Sequence, residues 1–116
     1  MDAFVQPLYE LADFDAIIRQ LKKPGIVQVS GCLDSQKAHF TNGLLREFPF
    51  RLIVAENDLK AKAFYEDFRL YDPEVLYYPA RDLIFYQADI HGNLLTRQRI
   101  QVLRALLERE EVTIVT

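Results

Sequence analysis

The sequence has few of the residues that build disulfides, and it has no long apolar run. Its 116 residues include one cysteine, Cys32, and no tryptophan. A single cysteine excludes an intrachain disulfide and is typical of a reducing compartment. No apolar run approaches the roughly 20 residues that a membrane-spanning helix needs, and the N-terminus lacks the basic start and apolar stretch of a signal peptide. These absences predict a cytoplasmic protein without a membrane partner.

An excess of positive charge is also missing. The chain has 17 acidic and 14 basic residues, which gives a formal net charge of −3. Because nucleic-acid-binding domains are usually basic, the whole chain has no overall attraction to DNA or RNA. Half of its residues are hydrophobic, as in an ordinary globular protein, and its length fits one domain. We therefore predict a single domain over residues 1–116, with N-terminal helices in residues 1–24 and an α/β core in residues 25–116.

Helical and strand-like apolar patterns alternate along the chain. Asp13 and Asp58 are candidate N-caps. The predicted helices cover residues 14–23, 35–47, 59–71 and 95–109, and the predicted strands cover residues 26–30, 51–55, 75–78 and 112–115. Continuously apolar strands that alternate with helices predict a parallel sheet of at least four strands, flanked by helices. The sequence stops at Thr116, directly after a strand, and this predicts a fragment truncated from a longer protein.

A glycine follows the first predicted strand, and a short loop then opens into a helix. P-loop proteins bind phosphate at such a place, with the pattern G-x-x-x-x-G-K-[ST]. Here the pattern reads GCLDSQKA, so that Gly31 and Lys37 match while Gln36 replaces the second glycine and Ala38 replaces the magnesium-binding hydroxyl. Gln36 brings a side chain to a position that requires close approach of the backbone. Ala38 offers no ligand for magnesium, so the loop is predicted not to bind ATP tightly.

The half-motif also has a simpler interpretation, because a glycine and a lysine at this spacing often mark an ordinary turn between a strand and a helix. Cys32 is better explained as a small buried residue than as a nucleophile, since no histidine is placed by sequence to activate it. His39 and His91 have no cysteine or carboxylate at ligand spacing beside them. The sequence therefore predicts no metal site and no catalytic residues.

Three segments in succession resemble a known family. They are VSGCLDSQKAHFTNGLL, LIVAENDLKAKAFYEDFRLYDPEVLYYPARDLIFYQADIHGN and RQRIQVLRALLEREEVTIVT. Their order and spacing resemble the N-terminal module of bacterial transcription-repair coupling factors (Mfd), which is itself similar to the nucleotide-binding domain of excinuclease B. The resemblance covers about residues 10–116. It implies a P-loop-type fold with a degenerate phosphate loop, and an excinuclease B-homology domain without the DNA-binding hairpin.

The resemblance also implies a function in protein recognition. In the family this module helps to recruit excinuclease A to stalled RNA polymerase in nucleotide excision repair, and it restrains the parent translocase. The main excinuclease A contacts belong to a domain after the strand that ends here at Thr116. ATP, magnesium and DNA are implied for the parent translocase alone, and no cofactor is expected for this chain.

Two other functions stay open at the level of sequence. One is the first ATPase domain of an excinuclease B-like helicase with a working loop. The two hypotheses differ in whether a loop with Gln36 and Ala38 binds ATP and magnesium. The other is single-strand binding through aromatic residues that could stack on bases, namely Tyr77, Tyr78, Phe85 and Tyr86. The last predicted helix also has a polar face that could contact a neighbouring domain: Arg97, Gln101, Arg104 and Glu108. The opposite, apolar face of that helix is predicted to consist of Ile100, Val102, Leu103, Leu106 and Leu107.

Overall fold

Helices and short strands alternate along the chain in a computed structural model, which describes residues 3–80 and 89–116. A 3₁₀ helix, Gln6–Glu10, comes first. The helices are α1 (Phe14–Leu21), α2 (Asp34–Leu45), α3 (Asp58–Phe68) and α4 (Asp89–Glu108), and the strands are β1 (Phe50–Ile53), β2 (Leu76–Tyr77) and β3 (Val112–Val115). The fold class is α/β, as the alternating pattern predicts.

The chain divides into two compact units, Met1–Glu47 and Phe48–Thr116. The sequence placed a division earlier, after residue 24. In the first unit, the 3₁₀ helix and α1 enclose a small core with α2. This core consists of Leu8, Phe14 and Ile18, with Phe40 and Leu44 packed against it.

The second unit contains the sheet. Within the described residues it has three parallel strands in the order β1-β3-β2. The central strand β3 is buried along its whole length, while β1 alternates between exposed and half-buried residues. On one face of the sheet, α4 packs Val102 and Ala105 against β3, and Leu76 and Tyr78 border the same cluster: Val102, Ala105, Val112 and Ile114.

The strand predicted at residues 26–30 is wrong in this structure. These residues form no strand, and Ile26 is 99% exposed. A strand satisfies its backbone groups only when a neighbouring strand pairs with it, and no described strand pairs with these five residues. The predicted sheet of at least four strands is therefore seen with three in the part of the chain that the structure describes.

The predicted helices lie near the observed ones, but the predicted N-cap residues do not make the capping hydrogen bonds. Asp13 stands at the N-cap of α1, but its side chain makes no capping hydrogen bond. The cap of α3 is Asn57, whose side chain accepts a hydrogen bond from the Lys60 N–H at 2.9 Å, and not Asp58 as predicted. Both residue types cap well, so composition alone does not separate two adjacent candidates. Helix α4 begins six residues earlier than predicted, at Asp89.

Candidate functional site

The loop at residues 31–33 lies directly before α2. Gly31 has φ +88°, a backbone conformation that residues with a Cβ rarely adopt. Residues 31–33 form no regular structure, and the helix begins at Asp34. The turn into a helix is therefore present as predicted, although no strand precedes it.

Two amides in the first turn of α2 are hydrogen-bonded within the chain. The N–H groups of Gln36 and Lys37 both donate to the carbonyl oxygen of Leu33, at 2.9 and 3.1 Å. In return, the Gln36 side-chain oxygen accepts a hydrogen bond from the Leu33 N–H at 3.2 Å. Only the second half of a capping box is present, because the Gln36 side chain accepts from the N-cap N–H while the leucine at the N-cap has no side-chain acceptor.

The lysine of the loop is paired with a carboxylate three residues before it. Lys37 Nζ lies 2.6 Å from Asp34 Oδ1. The hydrogen bond to Asp34, and then the charge of that carboxylate, raise the pKa of Lys37 above its usual value. Lys37 is thus a protonated side chain whose ammonium group already has an anionic partner. Both groups are exposed, so this pairing contributes little to stability.

Three residues of this loop region, Asp34, Gln36 and Ala38, are unsuited to binding ATP and magnesium. The Ala38 methyl group is buried, with 2% exposure, and provides no oxygen ligand. Gln36 blocks the close approach of backbone to phosphate that glycine allows. Asp34 places a negative charge where the phosphates of ATP would lie, and like charges repel. The residues at this loop do not fit the nucleotide.

The cysteine and histidine side chains in the described residues form no metal-binding cluster. Cys32 is half-buried and free, and His39 donates a hydrogen bond from Nε2 to the carbonyl oxygen of Phe4. The side chain of His91 lies outside the described residues. In residues 3–80 and the described part of α4 and β3, no group of three or more His, Cys, Asp or Glu residues could hold a metal ion.

The polar face of α4 is exposed. Arg97, Gln101 and Arg104 all point to solvent, and Arg104 forms an ion pair with Glu108 at 2.8 Å. The apolar face differs from the prediction, because Val102 and Ala105 make the contact with the sheet. Leu103 and Leu107, predicted on the buried side, are 52% and 88% exposed. The structure therefore brings the three candidate interaction residues together on one accessible face.

Tyr77 of β2 and the next residue, Tyr78, each have a side chain packed against the aromatic ring. Tyr77 packs against Tyr65, with ring centroids 5.6 Å apart. The guanidinium carbon of Arg99 lies 4.3 Å from the centroid of the Tyr78 ring, and its Nη1 donates to the carbonyl oxygen of Pro79 at 3.1 Å. These contacts occupy ring surface that a stacked base would require. Phe85 and Tyr86 lie outside the described residues.

A hydrogen-bonded group at the C-terminal ends of the strands was missed by sequence reasoning. Asp58 Oδ1 accepts hydrogen bonds from the Tyr77 hydroxyl and from the Ala80 N–H, the latter at 3.1 Å. Burial raises the pKa of Tyr77, and the hydrogen bond and charge of Asp58 raise it further. The sequence indicates this contact only in that Asn57 and Asp58 are adjacent N-cap candidates. Because Asn57 caps the helix, the carboxylate of Asp58 can bind elsewhere.

A second polar cluster lies at the N-terminal ends of the strands. The Arg51 side chain is only 11% exposed. Its Nε donates to the Phe48 carbonyl oxygen at 2.5 Å and its Nη1 to Thr113 Oγ1 at 3.3 Å. Asp72 Oδ2 accepts from Thr113 at 3.0 Å and lies 3.8 Å from Arg51. This cluster joins β1, β3 and the α3–β2 connection, so its function is structural.

Comparison with protein-family models, curated protein sequences and solved structures gives no match. Among the described helices, none is long and apolar enough to cross a bilayer.

Proposed function

We propose that this chain is a non-catalytic interaction module from the N-terminus of a transcription-repair coupling factor, which acts in transcription-coupled nucleotide excision repair. The observation that carries the proposal is the state of the loop before α2. Asp34 pairs with Lys37, and the Leu33 carbonyl accepts the N–H groups of Gln36 and Lys37. A phosphate arriving there would meet the carboxylate of Asp34 beside the ammonium group of Lys37. A loop of this kind supports recognition rather than ATP hydrolysis.

The proposed partners follow from the resemblance. The module would help to recruit excinuclease A, whose main contacts lie in a domain after Thr116, and would restrain the translocase of its parent protein. RNA polymerase and DNA would be reached through the parent, in the cytoplasm. ATP and magnesium would belong to the parent's motor domains, since the present loop does not fit them.

A finer statement about the fold belongs to the same proposal. A P-loop-type sheet of at least four strands requires residues 26–30 to form a strand in the intact parent protein. Amide hydrogen exchange tests this, because amides in a paired strand are protected and those of an exposed segment are not. Protection of these amides in a longer chain supports the P-loop assignment, and fast exchange there opposes it.

The surface that supports a docking role is the exposed polar face of α4. A face with two arginines and a glutamine, Arg97, Arg104 and Gln101, is suited to an acidic surface on a neighbouring domain. The pairing of Arg104 with Glu108 is exposed and weak, so it can be exchanged for a partner carboxylate.

The experiment is a binding measurement between this chain and a coupling factor that lacks its own N-terminal module. We expect saturable binding that Arg97→Glu together with Arg104→Glu weakens at least about tenfold, with a strong dependence on salt. Lys62→Glu, an exposed change on α3, is the matched control and should leave the affinity unchanged. No binding at about 100 μM, or equal loss with the control, would refute the docking role.

A further inference from the structure

We draw no further inference here: the strongest candidate, the exposed apolar surface that Phe50, Leu52 and Val54 form on the sheet face against which α4 packs at β3, carries nothing because no part of the described chain shows what covers it.

Discussion

The hydroxyl group of Tyr77 donates a hydrogen bond to the carboxylate of Asp58. Tyr77 ends β2, and Asp58 is the first residue of α3, so the bond joins a strand end to a helix beginning. The same carboxylate oxygen accepts the Ala80 N–H, and Tyr77 also packs on the Tyr65 ring. One carboxylate thus connects α3 to the chain immediately after β2.

Replacing Tyr77 by phenylalanine removes this hydrogen bond and keeps the ring. A hydrogen bond to a charged group contributes more than a neutral one, but the site is partly exposed, so we expect a loss of about 1 kcal/mol in the free energy of unfolding. Urea unfolding measures the change. Tyr9→Phe, at an exposed tyrosine outside this group, should change the free energy by less than about 0.5 kcal/mol.

The stabilising effect of Tyr77 should depend on pH with a definite sign. The pKa of Tyr77 in the folded chain is raised above its ordinary value of 10.0. The folded state therefore retains the proton after the unfolded state has lost it, and stability falls as pH rises above about 10. The free-energy difference between the unmodified chain and Tyr77→Phe should narrow as the pH rises from about 10 to about 12. A difference that stays constant over this range would contradict the assignment.

Gly43 on α2 should not tolerate alanine. A Cβ at this position would overlap Leu8 Cδ1 and lie 3.0 Å from Phe14 Cζ. Overpacking costs about 1–3 kcal/mol, and the gain in helix propensity from alanine returns only about 1 kcal/mol. We expect a lower melting temperature for Gly43→Ala. In a chain that also carries Leu8→Ala, which removes the nearest atom, the same change should be neutral or stabilising.

The half-buried cluster around Arg51 should contribute more to the free energy of unfolding than an exposed ion pair of the described residues does. Asp72→Asn removes the carboxylate that accepts from Thr113 and faces Arg51, and it leaves a guanidinium that is 11% exposed with less compensation. We expect a loss of about 2 kcal/mol, below the full value for a completely buried pair. Glu66→Gln, which breaks the exposed pair with Arg69, should cost less than about 0.5 kcal/mol. Similar values for the two variants would refute this ranking.

Sequence patterns predicted well where one apolar face meets one neighbour. The strand at Val112–Val115 has the bounds that the sequence predicts, and all four of its residues are buried. In α3, Ala61 and Phe68 are buried at the helical spacing of the sequence. The α/β class follows from this alternation of periods.

Prediction failed where the partner of a segment decides its structure. Residues 26–30 have the composition of a strand, but a strand exists only through pairing, and the sequence does not identify the neighbour. On α4 the apolar stripe is wider than the contact with the sheet, so periodicity does not show that Val102 is buried and Leu107 exposed. The contacts of Asp58 and Arg51 join residues 19 and 62 positions apart, and no local pattern contains that information.

The central claim is that the loop before α2 does not bind nucleotide. Titration calorimetry with Mg-ATP tests it most directly, at chain concentrations of about 100 μM so that weak binding is visible. The account predicts no saturable heat, because the ammonium group of Lys37 is paired with the carboxylate of Asp34 and Ala38 offers magnesium no ligand. Micromolar binding that disappears when magnesium is removed would contradict the account and favour an active excinuclease B-like ATPase.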